Sequence, residues 1–230
     1  MKKLSMPKHE QPRVLATAAG AVLALGLAAA PAQVYVGPSY ALSSGTDLGP
    51  YLSGDFGPSF VQNFQSSRFG FLGNFSADAG ARFSAEPGYN FLATDQLTLG
   101  AEFETGVIYN HLSSVTQAAL PSSFRGDYYQ VPLLGNLVLK LHPPGLLVVP
   151  YVGVGGGGDY SWARIRSPGF FGFSSNSDEV DPAVQAMAGV RFRLSPISDL
   201  GLGYKFLAAF PGDGRNTATH AVGISLTLRF

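Results

Sequence analysis

Cysteine is absent from the 230 residues, which excludes a disulfide framework, a thiolate metal site and thiol nucleophilic catalysis. Charge is scarce as well. Asp, Glu, Lys and Arg make up 13% of the chain, about half the usual share for a soluble domain. The 15 basic and 15 acidic residues cancel, so the electrostatic footprint that nucleic acid requires is missing and no nucleic-acid partner is expected. Beyond the first thirty residues no apolar run is long enough to cross a bilayer as a helix. No His, Asp or Glu cluster has metal-ligand spacing. The run Gly155-Gly156-Gly157-Gly158 lacks the Lys-Ser/Thr and the following helix that a phosphate loop needs. No cofactor is expected. What the chain does have is 29 Gly, 17 Phe and 10 Tyr.

Lys2, Lys3, Lys8 and Arg13 precede a charge-free stretch from Val14 to Ala30, rich in Ala and Gly. That pattern suits the n- and h-regions of a secretory leader, and Ala30-Pro31-Ala32 supplies small residues where a signal peptidase reads. The expected organisation is a signal peptide over 1–32, a periplasmic lead-in over 33–49 and one domain over 50–230. The lead-in is either loose or part of a plug.

Side-chain alternation dominates the remainder. In the last strand Val222, Ile224, Leu226, Leu228 and Phe230 share one face, and Gly223, Ser225, Thr227 and Arg229 share the other. Eight such segments recur: Tyr51 to Phe60, Ala81 to Phe91, Leu97 to Asn110, Tyr128 to Leu141, Leu147 to Trp162, Ala183 to Leu194, Leu200 to Ala209, and the final strand. Their connections alternate between short turns, such as Ala93-Thr94-Asp95-Gln96 and Ser195-Pro196-Ile197-Ser198-Asp199, and long loops rich in Ser, Gly and Phe. Short turns at one end and long loops at the other are the layout of an eight-stranded antiparallel up-and-down transmembrane β-barrel, an all-β fold.

Alternation alone would also suit a soluble barrel with an apolar interior, so the content of each face decides. Leu97, Leu99, Ala101, Phe103, Val107 and Tyr109 oppose a face holding Glu102 and Glu104; Leu200, Leu202, Tyr204 and Phe206 oppose Lys205. The apolar faces carry no charge across the strand cores, where a Lys or Arg at mid-bilayer would cost about 2–4 kcal/mol. The polar faces mix Gly with both charge signs. In a narrow barrel Gly makes room for long charged side chains that must meet one another. The polar face is therefore expected inside. Its charge network comprises Glu86, Glu102, Glu104, Lys140, Asp159, Arg191, Arg193, Lys205 and Arg229, with Arg82 also in reach. Aromatics sort toward strand ends: Tyr109, Tyr129, Tyr160, Trp162 and either Phe206 or Phe210 toward the outer rim, and Tyr89, Phe91, Phe192 and Phe230 toward the inner one.

Gly49-Pro50-Tyr51-Leu52-Ser53-Gly54-Asp55-Phe56-Gly57, Pro87-Gly88-Tyr89-Asn90-Phe91, Val131-Pro132-Leu133-Leu134-Gly135-Asn136, Pro150-Tyr151-Val152-Gly153-Val154 and Gly203-Tyr204-Lys205-Phe206, together with Phe230, run in order along the chain. In these the sequence resembles the eight-stranded outer-membrane barrels of the OmpA/OmpX and opacity types. It departs at Leu228, where many members place a second aromatic. The resemblance implies a Gram-negative outer membrane, contact with its lipid and lipopolysaccharide, and insertion by the barrel-assembly machinery. That machinery would read the terminal set Val222, Ile224, Leu226, Leu228 and Phe230.

An eight-stranded interior is just wide enough for side chains to fill it, so the inward charges are expected to plug rather than conduct. His111-Leu112-Ser113 with Glu104 is a faint hydrolase pattern, set aside because Glu104 points inward and the His lies at a loop entrance. Asp178, Glu179 and Asp181 read as a solvated acidic loop. Phe64, Phe69, Phe71 and Phe75 in the first loop, and Phe170, Phe171 and Phe173 in the third, are apolar groups displayed above the membrane, which either mark a contact surface or fold over the barrel mouth and into the outer leaflet. The function read from the chain is a non-enzymatic structural or surface-interaction role through extracellular loops that contact an outside ligand. A narrow channel, or a side-opening path for small solutes, is the alternative.

Overall fold

Each alternating segment becomes a strand because β-branched, aromatic and Gly residues tolerate the pleat while opposite faces meet different surroundings. In the computed structural model the described residues are 47–62, 64–65, 74–116, 125–143, 146–166, 174–212 and 216–230, all within the unit Gly37–Phe230. The strands are β1 (Gly49–Gln62), β2 (Phe64–Gln65), β3 (Asn74–Ala77), β4 (Gly80–Ala93), β5 (Leu97–Thr116), β6 (Arg125–Leu141), β7 (Val148–Arg166), β8 (Ser174–Ser195), β9 (Ser198–Ala209) and β10 (Thr217–Arg229). The eight long ones pair antiparallel with their chain neighbours, and β1 pairs with β10 through Tyr51↔Arg229 to Gln62↔Ala218. The sheet is thus a closed eight-stranded barrel with no free edge among these strands. The short β2 and β3 pair with each other, and β3 continues onto the upper end of β5.

The faces are inverted relative to a soluble protein. Phe56, Phe83, Phe103, Leu137, Val154 (63% exposed), Leu202 and Ile224 (61%) stand on the outer wall, while Arg82, Glu86, Glu102, Glu104, Arg191 and Lys205 are buried. An exposed apolar band running around the whole wall is tolerable only where hydrocarbon replaces water. Glycine permits two features of the inner wall. Gly49 adopts φ 116°, which turns the chain into β1. A Cβ on Gly88 would lie 2.5 Å from Tyr51 Cζ, so the missing side chain is what lets that ring lie across the lumen.

Three expectations need correction. Asp178, Glu179 and Asp181 are on β8, not in a loop. The β7–β8 ladder continues upward through Asp159↔Asp181, Ser161↔Glu179 and Trp162↔Asp178 to Arg166↔Ser174, because backbone pairing persists where side-chain alternation has faded. Asp199, read as a turn residue, is the second residue of β9 and is buried in the lumen. Phe206 keeps to the outward set but is buried, since the His220 ring packs 5.1 Å from it. The signal peptide 1–32 and residues 33–46 of the lead-in lie outside the described residues.

Replacing Ile224 by Arg places a charge in the middle of the apolar band. The expected result is a loss of about 2–4 kcal/mol in folding stability in lipid vesicles, read from urea titrations of the refolded protein.

Candidate functional site

The lumen is filled in tiers, which ascend along β5 through Thr98, Glu102, Glu104, Ile108 and Asn110, all of them inward and buried. The floor is built around Asp47, just ahead of β1. Arg193 Nη2 donates to its two carboxylate oxygens at 2.8 and 2.9 Å, and Arg229 Nη1 to Oδ1 at 3.1 Å. Asn90 Nδ2 holds the Asp47 carbonyl at 2.6 Å. Arg229 also forks onto Asp199 with two contacts of 2.9 Å, the bidentate geometry in which guanidinium binds carboxylate best. His142, in the turn after β6, reaches Asp47 Oδ2 at 3.2 Å and Thr98 Oγ1 at 2.9 Å through Nε2. Burial pushes the His142 imidazole below its ordinary pKa; Asp47 opposes this, and Arg193, Lys140 and Arg229 add to it.

Above the floor, Arg191 Nη2 meets Glu102 Oε1 at 3.3 Å and Tyr51 Oη donates to the same oxygen at 2.7 Å. Lys140 lies 4.0 Å from the centre of the Tyr51 ring and donates to Asn90 Oδ1 at 2.9 Å. Arg191 stacks over Tyr151 at 4.9 Å. Cations thus rest on ring faces, where the quadrupole offsets part of their lost hydration.

Glu104, 0% exposed, is the hub of the next tier. One oxygen pairs with Arg82; the other accepts from Lys205 at 3.2 Å, Asn136 at 3.0 Å and Gln185 at 2.6 Å. Lys205 also pairs with Glu86, which accepts from Ser84 at 2.8 Å, and Arg82 Nη1 lies 3.8 Å from Asp55. Side chains from β1, β4, β5, β6, β8 and β9 therefore meet at one cluster.

Of the sequence-derived charge network, Glu86, Glu102, Glu104, Lys140, Arg191, Arg193, Lys205 and Arg229 are brought together in these tiers. Asp159 is buried in the lumen but stands apart: its Oδ2 accepts from Gln130 at 2.7 Å, and no cation among the described residues pairs with it. The reason is the apolar layer of Ile108, Leu134, Ala183, Leu207 and Ala209, which occupies the lumen between it and the Glu104 cluster. Sequence reading missed that layer because β6 is apolar on both faces around Leu133 and Leu134. It also left Asp47, Asp55 and Asp199 out of the network, although Asp55 alternates in step with Tyr51 and Ser53.

His111 and Glu104 are not brought together. His111 belongs to the outward set and approaches Asp127 Oδ1 at 3.4 Å, whereas Glu104 points inward. In the terminal set, Val222, Ile224, Leu226, Leu228 and Phe230 are all exposed on the outer wall. The loop residues Phe69, Phe71, Phe170, Phe171 and Phe173 lie outside the described residues. Phe64 and Phe75 are register partners on β2 and β3 rather than loop residues.

Glu104→Ala leaves Lys205 and Arg82 short of a buried counter-charge, so a loss of about 3–5 kcal/mol is expected in vesicle unfolding titrations. His142 gives a signed pH dependence. Its folded state disfavours the protonated ring, so this contribution is present above the ordinary value of about 6.5 and is lost as pH falls from there toward the depressed folded value. Unfolding midpoints at pH 7.5 and 5 should differ less in His142→Gln than in the parent.

The comparisons agree with this geometry. The model of the outer membrane protein beta-barrel domain matches residues 19–230. No curated protein matches the sequence. Among solved structures, Neisserial surface protein A is 16% identical, with 79% of this chain and 97% of that one covered and a TM-score of 0.49. Ail, the attachment invasion locus protein of Yersinia pestis, solved with the heparin analogue sucrose octasulfate, is 14% identical, with 79% and 99% covered and a TM-score of 0.46. The outer membrane protease OmpT from Escherichia coli is 6% identical, with 79% and 97% covered and a TM-score of 0.51. At such identities the likeness to OmpT concerns the fold alone. With the family model spanning the whole barrel and an apolar band around its wall, this chain belongs to the outer membrane protein beta-barrel domain family and resides in the Gram-negative outer membrane.

Proposed function

We propose that this barrel is a non-enzymatic, non-conducting protein whose role is structural or one of surface interaction through its extracellular loops. The observation that carries this is the Glu104 cluster, in which side chains from six strands lock across the lumen. An ion moving along the axis would have to break buried pairs at the floor and at both tiers above it, each held in low dielectric. The wall and the loops are then the parts left to act. Phe69, Phe71, Phe170, Phe171 and Phe173 are the proposed contacts with an extracellular ligand. The set Val222, Ile224, Leu226, Leu228 and Phe230 is the proposed signal to the barrel-assembly machinery. His111, facing away from Glu104, supports the absence of hydrolysis.

Planar-bilayer recordings on refolded protein test the proposal. Silence is expected. A steady conductance abolished by Lys205→Ala or Glu104→Ala would replace it with the narrow-channel reading, and cleavage of an acyl or peptide bond lost on His111→Ala would replace it with an enzyme.

A further inference from the structure

Above the apolar layer the lumen turns acidic. Asp159 and Asp181 are register partners on β7 and β8, and both are inward and buried. One inward rung higher, Ser161 is opposite Glu179 on the same two strands, with Ser161 buried and Glu179 partly so. Side chains directly opposite in an antiparallel pair stand about 4.5–5.5 Å apart at Cβ, and like charges so placed destabilise the sheet. Two adjacent rungs thereby gather three carboxylates and a hydroxyl.

Asp159 shows what these rungs lack. It is 0% exposed, its Oδ2 accepts from Gln130, and its Oδ1 is buried with no hydrogen-bond partner. The surroundings explain the orphan. Its neighbour on β6 is Pro132, whose ring offers no donor, and one rung below lies the apolar layer with Leu134 and Ala183. Gln130 is held in place from β10, since its Oε1 accepts from Thr219 Oγ1 at 2.8 Å. That relay commits the amide to Oδ2 and leaves Oδ1 for a second partner. A buried carboxylate oxygen needs a donor or a cation, and an orphan of this kind marks a water or an ion.

We propose that the Asp159–Asp181 rung binds a hard divalent cation of calcium's size at the end of the lumen opposite Asp47. Asp159 Oδ1 and an Asp181 oxygen are the anchoring ligands. Ser161 Oγ and Glu179 approach from the rung above, and water completes the roughly six to eight oxygens that calcium takes. Gln130 and Thr219 form the hydrogen-bonded outer layer that orients a ligating carboxylate. Asp181 and Glu179 have contacts besides, and a carboxylate offers about four lone-pair sites, enough for both uses. No three His, Asp or Glu side chains among the described residues already close on one point. The site is therefore an open, weak one, in the range of about 10⁻⁴–10⁻³ M that extracellular calcium modules show. The ion turns a repulsive rung into a bridge between β7 and β8. It concerns the lumen wall and not the loops, so it and the surface-interaction role can fail separately.

Full-length barrel, refolded in neutral detergent and freed of metal with a chelator, is titrated with terbium. Terbium takes calcium's oxygen ligands and emits when aromatic rings beside it are excited; Tyr160 and Trp162 alternate with Asp159 and Ser161 along β7 and serve as antennae. A saturable emission is expected, displaced by calcium at about 10⁻⁴–10⁻³ M. Magnesium should need at least about tenfold more, because it demands a tighter octahedron and sheds water reluctantly. Asp159→Asn should weaken terbium and calcium at least about tenfold, and Ser161→Ala about threefold. Asp127→Asn, which alters an exposed carboxylate, should leave the titration unchanged. Heat-modifiable gel mobility verifies folding. If Asp159→Asn fails it, Ser161→Ala and infrared spectra of the parent decide, calcium being expected to shift a carboxylate stretch. The proposal is overturned by an absent saturable emission, by equal calcium competition in the parent and the folded variants, or by a carboxylic-acid band that calcium leaves in place. That last outcome assigns the rung a shared proton.

Discussion

Everything in this molecule follows from charge that has been taken out of water without being given up. Glu104 is completely buried, yet it sits among two cations and two amide donors. A lone carboxylate there would be intolerable, whereas a carboxylate with its oxygens satisfied is a crosslink. Because its partners come from four other strands, the cluster ties opposite sides of the barrel together more directly than the backbone ladder, which links only neighbours. The outer wall can be as apolar as the membrane demands because the interior carries the polar groups.

The architecture was legible in the chain for a physical reason. A closed barrel between lipid and a polar lumen imposes period-two alternation on every strand, and nothing overrides it across Leu97–Glu104 or Val222–Phe230. Legibility ended where only one partner was visible. The ladder of β7 and β8 above Trp162 is carried by backbone pairing between residues such as Ser175 and Ile165, which leave no alternating trace. Asp199 was misread because proximity to a turn suggests solvent, and Asp47 fell in the lead-in, where no alternation marks it; only the folded floor shows that Arg193 and Arg229 converge there. The apolar layer at Leu134 and Leu207 was hidden by strands greasy on both faces.

The tiers also differ in kind. The floor is made of forked guanidinium–carboxylate pairs, geometrically demanding and tied to a residue that precedes the first strand. The next tier rests its cations on Tyr51 and Tyr151, and the glycines facing those rings, Gly88 and Gly203, are what allow such bulk to fit. Higher up, apolar packing replaces ion pairing and Asp159 is left with an amide partner. The lumen is therefore ionic at the end that holds Asp47 and apolar toward the other, where the ladders of β5, β7 and β8 extend beyond the core of the barrel.

The seam between β1 and β10 has a kinetic consequence. Tyr51 and Arg229 lie far apart in the sequence and yet share one rung, so the ring cannot seal until β10 has been delivered to β1. Until then the growing meander presents two open margins, each a template for any extended segment nearby. Contacts so remote along the chain form slowly. The unfinished curl therefore stays open for as long as that remote pairing takes, and the zipping of β1 onto β10 is the event that ends that vulnerability.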